Sequence, residues 1–185
     1  MKLRTKNELI NYVNYGNKVS YIFFWGHKKV NSNISKSCFS QWYEIEFKKD
    51  KHRFISAEHY MMYEKANLFG DKLSCEKILN ANNPGEAKDL GRKVIGFNEE
   101  VWLKHRFDIV VKVNLAKFSQ HPELKEYLLS TEDSVLVEAS PVDKLWGIGL
   151  SEDNPNKENP NLWKGLNLLG FALMEVREQL KVKIS

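Results

Sequence analysis

Two charged side chains interrupt an apolar pattern in RFISAEHYMMYEKANLFG, residues 53–70. Read as a helix, this segment places five apolar residues on one side: Ala57, Met61, Met62, Leu68 and Phe69. Glu58 and Lys65 fall on the same side, two turns and about 10 Å apart. They indicate a cleft in which a carboxylate and an amine converge on a ligand, because buried charges need partners. The alternative is a first-turn acid favoured by the helix dipole and a lysine whose stem covers apolar surface.

Arg106 is a similar exception in a second segment. NEEVWLKHRFDIVVKVNLAKFSQ is predicted to form a long helix capped by Asn98, and Arg106 lies between Trp102 and Ile109 on its apolar face. Such an arginine either extends to solvent from a helix–helix seam or holds a phosphate or carboxylate with both guanidinium nitrogens.

The loop EASPVDKLWGIG is the third irregularity. Asp143 follows Pro141 by two residues, and Trp146, Gly147 and Gly149 come next. An aspartate after proline is often a turn residue. A tryptophan between glycines in a long loop also offers a flat face for stacking a heterocycle, with close approach of the backbone.

Composition excludes several classes of protein. Apolar residues make up 42% and charged residues 28%, and the net charge is +4, which is typical of a globular chain and gives no block of basic residues for nucleic acid. Cys38 and Cys75 are isolated, so we expect reduced thiols and a cytoplasmic protein. No signal peptide or membrane span is apparent, and the histidines lack metal-ligand spacing, so we expect neither metal nor cofactor.

Helical patterns outnumber strand patterns along the chain. We predict strands in VSYIFFWG (19–26), CFSQWYEIEF with KKDKHRF (38–54) and SVLVEAS (134–140), with a polar surface loop, HKKVNSNISKS (27–37), between the first two. Helices are predicted from Ser56, in DKLSCEKILNA (71–81), in PGEAKDLGRKV (84–94), from Asn98, from Pro122 and from about Leu162, the last with a seam of Leu166, Leu169, Leu173, Val176 and Leu180. The expected fold is α+β and predominantly helical, one domain over 1–185 with a small β-sheet and a peripheral N-terminus of about 18 residues.

Taken together, several blocks resemble the NADAR (YbiA-like) family. They are SAEHYMMYEKA at 56–66, LGRKV at 90–94, Trp102 before NLAKF at 114–118, LVEASPVDKLWGIG at 136–149 and GLNLLGFALMEVR at 165–177. The resemblance covers the chain from Val19 to Leu180, and KSCFSQWY is similar to the longer branch of the family, which carries an insertion there.

This resemblance implies a metal-independent N-glycosidase of compact, mainly helical fold. The family positions carried over are Glu58, Trp102 and Asp143, to which we add Lys65. We therefore expect Glu58, Lys65 and Asp143 to be catalytic and to meet around one sugar. The expected substrate-binding residues are Trp102, Trp146, Arg92, Arg106, Gly147 and Asn167.

The implied chemistry gives these residues roles. Cleavage of an N-glycosidic bond passes through an oxocarbenium-like state, which the Glu58 carboxylate would stabilise, while Asp143 would activate water or handle the proton of the leaving nitrogen. Lys65 would either exchange into a ring-opened ribosylamine as a Schiff base or bind phosphate with Arg92 and Arg106.

Three functions remain open from the sequence. The leading one is hydrolysis of phosphorylated ribosylamino-pyrimidine intermediates of riboflavin synthesis, which removes reactive metabolites. The second is removal of ADP-ribose from guanine in DNA, with ADP-ribosylated DNA as partner. The third is a non-catalytic module that binds ADP-ribose or NAD. The sequence indicates no membrane partner and does not define the oligomeric state.

Overall fold

The computed structural model describes residues 3–28 and 33–182, and it confirms the mainly helical α+β class. Residues 29–32, inside the predicted polar loop, lie outside the described part. The helices are α1 Lys6–Asn14, α2 Ala57–Leu68, α3 Lys72–Leu79, α4 Pro84–Gly91, α5 Glu99–Gln120, α6 Pro122–Leu129 and α7 Leu168–Val182. The strands are β1 Tyr21–Phe24, β2 Phe47–Lys49, β3 His52–Phe54 and β4 Val135–Glu138, and 3₁₀ helices span Lys36–Phe39 and Pro160–Leu162.

The chain divides into two compact units. The central unit is Gln41–His121, and the terminal unit is Met1–Ser40 with Pro122–Ser185. The prediction of a single domain over 1–185 stays a prediction, as does the peripheral position of the N-terminus. Within the terminal unit Leu9 of α1 is completely buried.

Helix α2 is the centre of the central unit. It packs against α3, α4 and α5, and every residue from Ser56 to Met62 is buried. Ala57, Met61 and Met62 are thus buried as predicted, but the burial is not confined to one stripe, because neighbours cover the first two turns on all sides. Leu68 and Phe69, assigned to the stripe, are only half-buried in the last turn.

A short hairpin completes the central unit. Strands β2 and β3 pair antiparallel, with Phe47 opposite Phe54. Asp50 and Lys51 have positive φ angles of 49° and 71°, as a two-residue type I′ turn requires. The polar turn through Asp50 is thus confirmed, but the strand predicted from Cys38 begins only at Phe47, since Lys36–Phe39 forms a 3₁₀ helix.

In the terminal unit, β1 and β4 form a parallel pair with Tyr21 opposite Val135. The four strands of the described residues thus make two pairs instead of the expected single sheet. Helix α7 packs on β4. The buried Arg177 of α7 donates to Thr131 Oγ1 at 2.7 Å and to the Ser134 carbonyl at 2.9 Å, which ties the helix to the turn before β4.

Helix α7 begins at Leu168, so the predicted start near Leu162 was wrong. Asn167 has a positive φ of 56°, which the right-handed helix does not allow. The backbone N–H of Leu166 donates to the Lys144 carbonyl at 3.0 Å, and that of Asn167 donates to the Gly147 carbonyl at 3.1 Å. Leu166 is consequently outside the apolar seam and 43% exposed.

We expect the Gly170→Ala substitution to destabilise the protein. A Cβ at this position would lie 2.0 Å from the Leu136 carbonyl oxygen, so α7 would have to move away from β4. Overpacking of this kind costs about 2 kcal/mol, which for a chain of this length corresponds to a fall in Tm of about 5 °C. Calorimetry on Gly170→Ala and on Val182→Ala, an exposed control in the same helix, tests this: equal Tm values for the two variants would contradict the close contact.

Candidate active site

Glu58 enters the interior of the central unit at the start of α2. Ser56 caps the helix by accepting a hydrogen bond from the His59 backbone N–H at 3.3 Å. The backbone N–H of Glu58 donates to the Gln41 carbonyl at 2.9 Å, and its side chain is buried, with 3% of the residue exposed. A carboxylate at this position gains from the positive end of the helix dipole.

His59, the next residue, is held as a neutral imidazole. Its Nε2 lies 3.2 Å from the Ala81 carbonyl and therefore donates, which leaves Nδ1 to accept from Ser56 Oγ at 2.7 Å. Burial lowers the pKa of His59, although the Ala81 carbonyl opposes that shift. A neutral ring beside Glu58 in the sequence means that His59 does not supply a positive charge to this end of α2.

Lys65 lies in the last turn of the same helix, among aromatic rings. Its Nζ donates to the Gly91 carbonyl at 2.8 Å and lies 4.3 Å from the centre of the Phe97 ring and 5.7 Å from that of Trp102. Burial lowers the pKa of Lys65, which increases the fraction of neutral, nucleophilic amine. The structure thus brings together two of the predicted residues, Lys65 and Trp102.

Two backbone features bring the Gly91 carbonyl and the Phe97 ring to Lys65. A Cβ at Gly91 would lie 2.1 Å from Met62 Sδ, so a glycine lets α4 approach α2 closely enough for the bond to Lys65. The Ile95 backbone N–H donates to Asp71 Oδ2 at 2.9 Å, and this bond, with those from Ser74, lowers the pKa of Asp71. The turn that presents Phe97 is therefore anchored to the start of α3.

The two predicted arginines of the central unit differ in their surroundings. Arg92 follows α4 on the surface, with two thirds of its side chain exposed, and forms an ion pair with Asp89 at 3.1 Å. Arg106 is half-buried on α5, and burial lowers its pKa while the charge of Glu99 opposes the shift. Of the two, only Arg106 is partly removed from water.

The predicted residues of the terminal unit lie in the loop after β4. Asp143 Oδ1 accepts hydrogen bonds from the backbone N–H groups of Leu145 at 2.8 Å and Trp146 at 2.7 Å. The Asp143 backbone N–H in turn donates to Ser140 Oγ at 3.1 Å. Asp143 therefore forms the turn that carries the half-buried Trp146, as the turn interpretation predicted.

Gly147 and Asn167 fasten this loop to the strand. A Cβ at Gly147 would lie 2.8 Å from the Glu138 carbonyl oxygen. The Asn167 side chain is fully buried, accepting from the Glu138 N–H at 3.0 Å and donating to the Leu136 carbonyl at 2.9 Å. Both residues thus have structural contacts, and their expected role in substrate binding stays a prediction.

Comparison with known proteins places these residues in a family. The NADAR domain family matches residues 23–181. The chain belongs to this family. Its Glu58, Lys65 and Trp102 and the Asp143 loop all lie within the matched NADAR region.

Two NADAR relatives match most of their length. The N-glycosidase R617 of Acanthamoeba polyphaga mimivirus is 44% identical over 164 residues, covering 86% of this chain and 95% of that protein. The solved NMR structure of Escherichia coli YbiA has a TM-score of 0.70 and 28% identity, with 91% of this chain and 89% of that chain covered. This likeness confirms the predicted YbiA-like fold.

A third relative is longer. The chloroplastic riboflavin biosynthesis protein PYRR of Arabidopsis thaliana is 38% identical over 108 residues. The match covers 56% of this chain but only 16% of that protein. The matched segment is therefore a small part of that relative.

Four residues near these groups were not predicted from the sequence. Phe97, Gln41, Asn114 and Lys117 are not in the predicted site, yet Phe97 contacts Lys65 and Gln41 contacts Glu58. Asn114 and Lys117 could have been found, since both interrupt the apolar face of α5 that contains Val110 and Val113, as Arg106 does. Phe97 gives no such signal, because an aromatic residue after a glycine is ordinary.

Within 3–28 and 33–182, no three His, Cys, Asp or Glu side chains cluster so as to hold a metal ion. In the same ranges no helix is both long and apolar enough to cross a bilayer.

We expect the free energy of unfolding to fall as the pH drops below about 6.5, the pKa of an unperturbed histidine, in part through His59. The pKa of His59 is lowered in the folded state, so the unfolded chain binds more protons at acid pH and is favoured there. Urea titrations at pH 7.5 and 5.5 should show a smaller loss in His59→Gln than in the parent chain. The exposed His105→Gln serves as the control, and an equal loss in all three proteins would rule out this contribution of His59.

Proposed function

We propose that the chain is an N-glycosidase that hydrolyses the ribose–nitrogen bond of phosphorylated ribosylamino-pyrimidines. The name of the mimivirus relative, which matches nearly all of its own length, supports hydrolysis of an N-glycosyl bond. The riboflavin-related name of the plant relative supports the finer choice of substrate. A soluble ribosylamine phosphate also suits a chain whose modest positive charge is dispersed.

The observation that carries the proposal is the pair of functional groups on α2. Glu58 is a buried carboxylate at the start of the helix, and Lys65 is a half-buried amine two turns later. A carboxylate and an amine on one helix lie at a fixed spacing, so both can contact one small substrate. The hydroxyl groups of a bound ribose would hydrogen-bond to both groups, and the Glu58 carboxylate would favour the positive charge that develops on the sugar.

Glu58 has the properties needed to stabilise the transition state. As the bond from the ribose C1 to nitrogen breaks, positive charge develops at C1, where it is shared with the ring oxygen in the closed ribose or with the imine nitrogen in the ring-opened form. A fixed carboxylate nearby lowers the energy of that state most effectively in a site shielded from water. Its place in the first turn favours the ionised form, because the helix dipole attracts the negative charge.

For Lys65 we propose the covalent alternative over phosphate binding. The ring-opened ribosylamine is an imine between C1 and the nitrogen of the base. The neutral amine of Lys65 adds to C1, the amino group of the base leaves with a proton, and a new imine joins Lys65 to C1. Water then hydrolyses this imine, which releases the sugar aldehyde and regenerates the amine of Lys65. The lowered pKa of Lys65 favours this route.

The other predicted residues keep narrower roles in the proposal. Trp102 and Trp146 would provide flat faces for the base or sugar, with Gly147 and Asn167 shaping the loop that carries Trp146. Arg106, partly shielded from water, suits a phosphate better than the exposed Arg92 does. Asp143 would handle the proton of the leaving nitrogen.

We expect the purified chain to release the free pyrimidine from the ribosylaminopyrimidine phosphate and to leave an ADP-ribosylated guanine oligonucleotide intact. Chromatography of both reactions distinguishes the two substrates. We further expect Glu58→Gln to lower kcat at least about 100-fold, since the amide carries no charge to stabilise the transition state.

The matched control for that variant is Glu100→Gln, an exposed first-turn acid of α5, which should keep full activity. Release of ADP-ribose from the oligonucleotide, with no release of pyrimidine, would identify the DNA-repair activity. Ligand binding by calorimetry without cleavage of either substrate would leave a binding module. Near-normal turnover by folded Glu58→Gln would contradict the role of Glu58.

We expect sodium borohydride, added during turnover, to trap the imine on Lys65. Reduction fixes the sugar to Nζ, so peptide mass spectrometry should find one modified lysine within SAEHYMMYEKA. The exposed Lys104, in a different peptide, is the internal control. Turnover without any adduct on Lys65 would exclude the covalent route and leave phosphate binding.

A further inference from the structure

The central unit buries two oppositely charged side chains, Glu58 and Lys117. The proposed mechanism uses Glu58 but gives no role to Lys117. Lys117 of α5 is fully buried, with none of its surface exposed, and Glu58 is 3% exposed. Among the Asp, Glu, His, Lys and Arg side chains of this unit, the others that are buried are His59, which is neutral, and Asp71, which accepts from the Ser74 and Ile95 backbone. Glu58 and Lys117 carry opposite charges.

Gln41 connects the two helices that hold these charges. Its backbone carbonyl accepts from the Glu58 N–H at 2.9 Å, and its side-chain oxygen accepts from Asn114 Nδ2 at 2.8 Å. Gln41 and Asn114 are themselves buried, and α2 packs on α5. The start of α2 is therefore fixed beside the turn of α5 that contains Asn114.

Lys117 lies on the same face of α5 as Asn114, because residues three apart are neighbours on a helix, about 4.5 Å along its axis. Its Nζ is 5.4 Å from the centre of the Tyr43 ring and 5.2 Å from that of Phe118. Tyr43 follows Gln41 by two residues. The short segment from Gln41 to Tyr43 thus runs from the Glu58 backbone to the Lys117 ammonium.

We propose that Lys117 is the buried counter-ion of Glu58 and positions its carboxylate. An ammonium removed from water is stable in a folded protein when an anion compensates its charge, and Glu58 is the anion that Gln41 and Asn114 bring to this part of α5. The aromatic faces of Tyr43 and Phe118 add a weaker attraction for the same cation. Lys117 lies on a different helix from Lys65, so the two amines have separate roles.

The consequence for catalysis rests on the proposed function, whereas the ion pair does not. A carboxylate with a fixed cation on one side has a defined orientation, so its charge needs no rearrangement when the ribose becomes positive. Lys117 is then a positioning residue, and its loss should lower kcat while leaving substrate binding almost unchanged.

The test is a double-mutant cycle with Lys117→Met and Glu58→Gln, with the exposed Lys104→Met of the same helix as control. Removing one member of a buried pair leaves the other charge uncompensated, so we expect Lys117→Met to lower Tm by about 10 °C. The double variant should recover at least half of the loss in Tm, because neither charge remains. Losses that add in the double variant would contradict the pair.

If Lys117→Met does not fold, its Tm cannot be measured, and the comparison is then whether each variant folds. A double variant that folds where Lys117→Met does not supports the pair, and a double variant that also fails to fold contradicts it. The kinetic arm uses the ribosylaminopyrimidine phosphate: we expect Lys117→Met to lower kcat at least about tenfold with little change in KM, and to have no further effect when added to Glu58→Gln.

The Tm measurements test the ion pair and the turnover assay tests the proposed function, so either one can be refuted without the other. Coupled Tm values without turnover of either substrate by the parent chain would refute the proposed function and leave the ion pair standing. Turnover by the parent chain together with additive Tm losses would refute the ion pair and leave the proposed function. Coupled Tm values with an unchanged kcat in Lys117→Met would show that the pair only stabilises the fold.

Discussion

The central unit is organised around the burial of α2, whose first two turns contact neighbours on every side while carrying a carboxylate. A helix of this kind cannot turn its polar groups to water, so the surrounding elements must meet each of them. Ser56 and Ala81 satisfy both ring nitrogens of His59, and Gln41 accepts from the Glu58 backbone. Buried polar groups that are fully satisfied hold a helix in one position.

The same constraint shapes the far end of α2, where Lys65 leaves the helix. Its amine lies where α4 approaches through Gly91 and where the anchored turn presents Phe97. Burial makes the amine easier to deprotonate, while the carbonyl and the rings fix its position. A rigid helix thus carries a carboxylate and an amine at a defined spacing, which is the arrangement that the proposed catalysis would use. In the terminal unit, Asp143 and Asn167 instead use their side chains to build the loop after β4.

A helix boundary was predicted correctly where a single proline or capping residue determines it. Pro84 begins α4, and Asn98 caps α5 by accepting from the Val101 N–H at 3.0 Å. The start of α7 failed because it depends on hydrogen bonds to a distant loop, which periodicity cannot reveal. The charged residues of α2 do interrupt its pattern, but an apolar stripe is not the reason at Glu58, since the first two turns of the helix are buried on all sides. Lys117 was missed although the same rule applies to it, and the exposure of Arg92 could not be read from its spacing.

The most direct measurement of the central claim is a crystal structure of Glu58→Gln with the ribosylaminopyrimidine phosphate bound. The ribose is expected to lie along α2, with a hydroxyl or the ring oxygen about 3 Å from the side chain at position 58 and with C1 facing Lys65 Nζ. A fully occupied substrate whose ribose touches neither position 58 nor Lys65 would contradict the assignment of α2 as the catalytic element.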